Sequence, residues 1–176
     1  MAKALAVRKV EALSPLEKAG NDLSYKSDLL SKESEKALND LRLALREKDE
    51  WSDRVDRAER DLLNPDISEA GKESIQRLLT QAKQFEEIAG EEYKAKNLMY
   101  EKMKAQLKQN TKTLNRLENI EYESLLDTSI SSRRRELGMA EDFPRSESKE
   151  ELLREVKQTE YAIDALIKLR NDNGNH

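Results

Sequence analysis

The chain has 176 residues, of which 39% are charged and 36% are hydrophobic, and its formal net charge is −4. This composition is too polar for a thick globular core, whereas the regular spacing of the apolar residues argues against disorder. With 5 Gly, 3 Pro, no Cys and no excess of basic residues, the sequence argues against a β-rich fold, disulfides, thiol catalysis and nucleic-acid binding.

Residues 2–13 are predicted to form a mildly basic amphipathic helix. Its Arg8 and Lys9 are candidates to contact an anionic lipid or an acidic partner, and the alternative is that the segment only packs on the rest of the chain. The first 16 residues lack the continuous apolar region of a secretory signal, and no run approaches the ~20 apolar residues that cross a bilayer. We therefore expect a cytoplasmic protein, with peripheral membrane contact left open.

A helix start follows at Ser14-Pro15-Leu16-Glu17, which combines a capping Ser, a Pro at the first helical position and a Glu at the third. This start predicts a kink or a restart after the N-terminal segment. Gly20-Asn21-Asp22 leaves two interpretations open, a second break or a local irregularity in a long helix.

Two long apolar stripes follow, one on each side of a single turn. The stripes have the spacing of a coiled-coil seam, with a period between 3.5 and 3.6 residues in the second. The first stripe contains Leu23, Leu30, Ala37, Ala44, Trp51 and Ala58, interleaved with Ser34, Leu41, Lys48, Val55 and Leu62. The second contains Ile75, Leu78, Ala82, Phe85, Ala89, Tyr93, Tyr100, Met103, Leu107, Leu114, Leu117 and Leu125, with Lys96 and Asn110 as polar seam positions.

The turn between the stripes is predicted at Asn64, Pro65 and Asp66. Pro65 cannot continue the incoming helix but suits the first turn of a new one, where its missing amide proton is not needed. Asn64 is a candidate N-cap, and Asp66 with Glu69 is an alternative capping box. The sequence thus predicts an antiparallel helical hairpin over residues 1–126 with its tip at 64–66.

Folding the chain back at this tip places apolar residues opposite apolar residues. Facing residues should have numbers that sum to about 130, because both arms rise equally per residue. Trp51 then faces Leu79, Leu45 faces Phe85, and the pairing continues toward both ends of the arms.

Beyond residue 126 the composition becomes Ser-rich and charged. We predict a connector at 127–147, with a short helix ending at Leu137 and Gly138 as its C-cap. Arg133-Arg134-Arg135 is a candidate site for phosphate, lipid headgroups or an acidic subunit face, and the alternative is a solvated charge run.

A last helix is predicted at 148–171, opened by the capping box of Ser148 and Glu151, with a frayed tail at 172–176. Its apolar stripe needs a partner, which is either the hairpin or another chain. The stripe contains Leu152, Val156, Thr159, Ile163, Leu166 and Arg170.

Residues for catalysis are scarce. The one His is His176, which leaves no catalytic triad and no His metal site, and the scattered glycines form no phosphate-binding loop. The carboxylates at Glu86-Glu87 and Glu91-Glu92 point in different directions on a helix. We therefore expect no enzyme activity, no cofactor and no metal.

The hairpin resembles the phage-shock protein A (PspA) family, relatives of the ESCRT-III membrane-remodelling proteins, over residues 23–126. Asp49-Glu50-Trp51, followed by Arg57-Ala58-Glu59-Arg60 and an acidic tip, is similar to the family pattern. The chain departs from that pattern at the start of the second arm, where Ile67-Ser68-Glu69-Ala70-Gly71-Lys72 stands. The resemblance implies homo-polymeric rods or rings that bind anionic membranes, without catalysis.

The sequence thus predicts an all-α, non-catalytic coiled-coil protein that self-assembles. One hypothesis is a PspA-like scaffold associated with membranes. The alternative is a soluble coiled-coil adaptor or structural component, of cellular or phage origin, that binds another helical protein.

Overall fold

The computed structural model describes residues 14–137 and 149–173, with side chains for 14–119 and 150–173. It contains three helices, α1 (Pro15–Leu62), α2 (Glu69–Leu137) and α3 (Lys149–Asn173), and no strand among the described residues. The predicted all-α fold is confirmed: α1 and α2 form the helical hairpin, and α3 is the third helix.

The helices contribute to two compact units. The three-helix unit combines Ser14 and residues 15–28 of α1 with residues 108–137 of α2 and 149–165 of α3. The tip unit combines residues 29–107, which include the turn, with residues 166–173 of α3. Each unit has its own packing and is described by itself.

The start of α1 follows the predicted capping box. The Glu17 amide donates to Ser14 Oγ at 3.1 Å, and the Ser14 amide donates to the Glu17 carboxylate at 2.7 Å. Pro15 is the first helical residue, and α1 then runs without interruption to Leu62. The second break considered at Gly20 is absent from this helix, and residues 1–13, including Arg8 and Lys9, lie outside the described residues.

The turn lies at the predicted tip but is built differently. The amides of Leu63 and Asn64 donate to carbonyls three residues earlier, so α1 ends in one tighter turn. Asn64 Oδ1 then accepts the amide of Asp66 at 3.0 Å, which shapes the turn itself. The prediction that Asn64 or Asp66 caps α2 is wrong, and Pro65 lies in the turn rather than in the first turn of α2.

The cap of α2 is Ser68. Its hydroxyl accepts the amide of Gly71 at 3.2 Å, and α2 begins at Glu69. A Cβ on Gly71 would lie 2.8 Å from Ile67 Cγ2 and 3.3 Å from the Ser68 hydroxyl. Gly71 therefore lets the turn fold closely over the start of the helix.

Two glycines of α2 should respond oppositely to the same substitution. A methyl group added at Gly90 would meet no atom of a neighbouring element within 4 Å, so Gly90→Ala should raise the free energy of unfolding by about 0.5–1 kcal/mol through lower backbone entropy of the unfolded chain. Gly71→Ala should lose that gain because Ile67 and the Ser68 cap must move. Urea unfolding followed by circular dichroism measures both, and equal gains would contradict the close packing at Gly71.

The register of the hairpin differs from the predicted one. Trp51 stacks on Phe85, and Glu59 pairs with Lys83, so the numbers of contacting residues sum to between 136 and 142 instead of about 130. The predicted pairing of Trp51 with Leu79 and of Leu45 with Phe85 is therefore wrong. The amides of Leu63 and Asn64 still bond to carbonyls three residues earlier, so the helical winding of α1 continues past Leu62. The chain therefore reverses direction later than it would in a hairpin with equal arms about Pro65.

The described seam positions of both arms are buried or half-buried, with two exceptions. The fully buried large side chains of the hairpin include Leu23, Leu30 and Met103. Leu78 and Phe85 are the exceptions, because they are 61% and 47% exposed while Leu79 and Ala82 take the buried positions. In the tip unit Leu79 and Ala82 form a core cluster with Val55.

The end of α2 also differs from the prediction. The helix continues through residues 127–137, where the composition predicted a connector, because neither Pro nor Gly interrupts the sequence before Gly138. The described part of α2 extends to Leu137. Residues 138–148, with Gly138 and Ser148, lie outside the described residues.

The apolar stripe of α3 packs on the hairpin, which is one of the two partners that the sequence left open. Leu152, Val156 and Ile163 are buried in the three-helix unit. Arg116 of α2 donates to both oxygens of Glu155 at 2.6 Å, and the neighbouring Thr113 is fully buried. The helix continues to Asn173, two residues beyond the predicted end, and 174–176 lie outside the described residues.

A polar layer lies inside the three-helix unit. Asn110, Thr113 and Thr159 are all buried, and the Oγ of Thr159 donates to the Glu155 carbonyl at 2.9 Å. Polar residues at seam positions fix the register of packed helices, because a shifted register would bury these groups without partners. Asn110 thus occupies the seam position that the sequence assigned to it, whereas Lys96 is half-exposed and pairs with Glu92.

Candidate functional site

The predicted contact residues for lipid or an acidic partner do not form a described site. Arg8 and Lys9 precede the described residues, and Arg133-Arg134-Arg135 lie on α2 where only the backbone is described. The tip residues Asn64, Pro65 and Asp66 are exposed and complete the turn. These residues remain predictions from the sequence.

Two properties of the described residues bear on the class of site. None of the described helices has a stretch long and apolar enough to span a bilayer. Within residues 14–119 and 150–173, no three acidic, His or Cys side chains are grouped so that they could hold a metal ion.

A groove between α1 and α2 in the tip unit is a candidate binding site. Its volume is about 380 Å³, and it lies on the side of the hairpin pair where Leu78 and Phe85 are exposed. The α1 wall is lined by Trp51, Arg54, Arg57, Ala58 and Asp61, and the α2 wall by Ile75, Leu78, Gln81, Ala82 and Phe85.

The floor of the groove is held by an aromatic stack. The rings of Trp51 and Phe85 are 4.6 Å apart between centroids and are inclined by 22°. The guanidinium of Arg54 lies 4.2 Å from the centre of the Trp51 ring, within the range of a cation–π interaction. These two contacts fix the indole in place. Trp51 also packs against the core cluster that contains the buried Val55.

The charges of the groove lie on the α1 wall. No carboxylate of the described residues forms an ion pair with Arg54 or Arg57, and Asp61 lies on the same wall two helical turns after Arg54. The α2 wall contributes only apolar side chains and the amide of Gln81. An apolar groove with two guanidiniums on one wall suits a helix or another amphipathic surface better than a small-molecule reaction.

The exposed apolar surface extends beyond the groove along α2. Ile88 is 62% exposed and lies one helical turn after Phe85. The helix α2 therefore has an exposed stripe, which lies beside the buried stripe of Leu79 and Ala82. The exposed stripe contains Leu78, Gln81, Phe85 and Ile88. The sequence placed Leu78 and Phe85 in the hairpin seam, and the signal that could have separated the two stripes is the adjacent pair Leu78-Leu79, whose members point about 100° apart on a helix.

Outside the groove, ion pairs fasten α3 to α1. In the tip unit, Arg170 donates to Glu33 at 2.6 Å and to Asp40 at 2.9 Å. In the three-helix unit, Lys26 donates to Asp164 at 2.6 Å, and this hydrogen bond raises the pKa of Lys26 above its ordinary value of 10.5. These contacts hold α3 against α1 and have a structural role.

Glu33 gives the tip unit a pH-dependent contact. Its carboxylate accepts hydrogen bonds from Lys36 and Arg170, and the Lys36 bond first, then the Arg170 charge, hold the pKa of Glu33 below its ordinary value of 4.5. A carboxyl group with a depressed folded-state pKa stabilises the fold above its unfolded-state pKa, and this stabilisation disappears as the pH falls through the folded-state pKa.

Glu33→Gln should therefore lower the free energy of unfolding at pH 7, and the difference from the parent chain should shrink as the pH falls below 4.5. Urea unfolding at a series of pH values measures this difference. Glu35→Gln, which removes an exposed carboxylate from the same helix, is the matched control. A constant difference across the whole series would contradict the proposed linkage.

Comparisons of the chain with protein-family models, with curated proteins and with solved structures find no match. The resemblance to the PspA family therefore stays a prediction from the residues quoted above.

Proposed function

We propose that this chain is a non-catalytic coiled-coil protein that assembles with copies of itself and acts as a helical scaffold. The observation that carries the proposal is the exposed stripe of α2. Its Leu78, Phe85 and Ile88 are between 47% and 62% exposed and lie beside an open groove. Contiguous exposed apolar surface on a soluble chain marks a contact with another macromolecule or with a membrane.

Three features support self-assembly as the use of this surface. The stripe has helical spacing, so its natural complement is another helix with a matching stripe. The groove floor is ordered by the Trp51–Phe85 stack, so little side-chain entropy is lost on binding. Aromatic residues and Arg, both present here, are the residues most enriched at the centres of protein interfaces.

The absolute mass of the chain in solution tests the proposal. Light scattering after size exclusion, over a hundredfold range of concentration, should give a mass above that of the 20.3 kDa monomer that rises with concentration. A monomer mass at every concentration would refute self-assembly and would favour the alternative, an adaptor whose groove accepts a helix of a different protein.

The resemblance to PspA extends the proposal to association with anionic membranes through Arg8, Lys9 and Arg133-Arg134-Arg135. Co-sedimentation with anionic vesicles at low salt, lost at high salt and absent with neutral vesicles, is the expected result because salt screens charge–charge attraction. Protein that stays in the supernatant with anionic vesicles at low salt would refute the membrane part and leave the self-assembly part intact.

A further inference from the structure

The α2 wall of the groove has the apolar pattern of a helix-binding surface. Its apolar side chains are spaced by three, four and three residues, at Ile75, Leu78, Ala82 and Phe85. This is the spacing of one face of a helix, so the complementary surface is a second helix with its own apolar stripe. From Ile75 to Ile88 the apolar surface is about 20 Å long, which matches a partner helix of about four turns.

The α1 wall of the groove carries an excess of positive charge. Arg54 and Arg57 line it together with one carboxylate, that of Asp61. Among the described residues, neither guanidinium forms a hydrogen bond or an ion pair, and the Trp51 ring holds Arg54 in place without neutralising its charge. The wall therefore has two arginines whose N–H donors are available to carboxylates, the partner that a guanidinium binds most strongly.

The acidic residues nearby on α1 do not neutralise this wall. Asp53 and Asp56 are the neighbours of the two arginines in the chain, but they do not line the groove, because successive residues of a helix point about 100° apart. Asp61 lines the groove one helical turn beyond Arg57 and forms no ion pair with it. A molecule that fills the groove thus meets two positive charges and one negative charge on α1.

We infer that the groove binds an acidic amphipathic helix of a different protein. The apolar stripe of that helix packs on the α2 wall, and a row of its carboxylates faces Arg54 and Arg57. Two grooves set face to face would bring two basic walls into one interface, whereas a carboxylate gives each guanidinium an opposite charge. The apolar side chains of the groove exclude water from these contacts and so strengthen them.

Partner binding goes beyond the self-assembly proposed above, and the two compete for surface. Leu78 and Phe85 line the groove and also belong to the exposed stripe, so a bound helix covers side chains that self-assembly would use. An excess of the partner helix should therefore lower the mass of an assembled chain toward that of the monomer. In this way the partner regulates assembly.

Two matched peptides test the charge of the partner. Each is an amphipathic peptide of about 20 residues without Trp, long enough to form a helix, with leucines at intervals of three and four residues. The flanking positions are Glu in the first peptide and Lys in the second. Fluorescence anisotropy of the labelled peptides, titrated with the full-length chain at low salt, should show that the Glu peptide binds about tenfold more tightly or better. Trp51 is the one Trp and lines the groove, so its emission should shift to shorter wavelength with the Glu peptide.

Charge reversal on the basic wall should exchange the two peptides. The double variant Arg54→Glu with Arg57→Glu should bind the Glu peptide about tenfold more weakly or worse, and it should now prefer the Lys peptide, since opposite charges again face each other. The double variant Arg42→Glu with Arg46→Glu makes the same change of charge on exposed residues of α1 outside the groove. This control should keep the preference for the Glu peptide, and circular dichroism checks that each variant is helical.

A change on the apolar wall gives an independent result. Leu78→Gln should weaken binding of the Glu peptide about tenfold, because Leu78 is an apolar anchor of the groove. Leu98→Gln should leave the affinity unchanged, since Leu98 is exposed to a similar extent on α2 but lies outside the groove.

The outcomes separate partner binding from self-assembly. Equal affinity for the two peptides, no binding of the Glu peptide, or equal effects of Leu78→Gln and Leu98→Gln would overturn the acidic partner and leave self-assembly standing. A chain that is monomeric at every concentration but binds the Glu peptide with the expected preference supports the acidic partner and overturns self-assembly.

Discussion

Replacing Ile163 by Ala should lower the free energy of unfolding by about 2–5 kcal/mol, the range for removing three side-chain carbons from a packed core. Ile163 is fully buried in the three-helix unit, in the same α3 stripe as Leu152 and Val156. The remaining Ala leaves a void that neighbours on rigid helices fill only in part. Urea unfolding followed by circular dichroism measures the loss.

The control for this prediction lies two residues away. Tyr161 is 74% exposed on α3, so Tyr161→Ala should change the free energy of unfolding by less than about 0.5 kcal/mol. Similar losses for the two variants would mean that α3 does not pack on the hairpin with the observed face.

Replacing Trp51 by Ala should lower the free energy of unfolding by about 2–4 kcal/mol. The substitution removes the stack on Phe85 and the apolar cover that the indole gives to the Val55–Leu79–Ala82 cluster. Trp51→Phe should lose less, since a ring still lies against Phe85. Circular dichroism is again the readout, because the Ala variant has no Trp to report by fluorescence.

Arg54→Ala separates the cation–π contact from the apolar contribution of the indole. The guanidinium lies 4.2 Å from the centre of the Trp51 ring, and its removal should lower the free energy of unfolding by about 0.5–1 kcal/mol. A loss for Arg54→Ala as large as that for Trp51→Ala would refute the view that Trp51 acts mainly through its stack and its packing. All of these unfolding measurements should be made at one protein concentration, since self-association adds stability by mass action.

The candidate site was only partly readable from the sequence. The sequence assigned Trp51 to the seam of the first arm and Phe85 to the seam of the second. It did not predict their contact, because the residues of the turn alone predict a different register of α1 against α2. The groove needs both the observed register and the exposure of Leu78, and neither is a property of one helix. Candidate contacts drawn from charge, such as Arg133-Arg134-Arg135, stay predictions because no described side chain tests them.

The sequence by itself determined the all-helical hairpin with a third helix, the capping box at Ser14 and Glu17, the turn at Asn64 to Asp66, and the buried face of α3. Each of these follows from interactions between residues close in the chain, namely capping, the missing amide of Pro65 and the 3.6-residue period. Only the tertiary structure decided the register of α1 against α2 and the division of α2 into a buried and an exposed stripe. These depend on which of several similar Leu and Ala positions meet across the hairpin, and that choice is made by packing between distant residues, where a shift of one turn still places apolar groups opposite apolar groups.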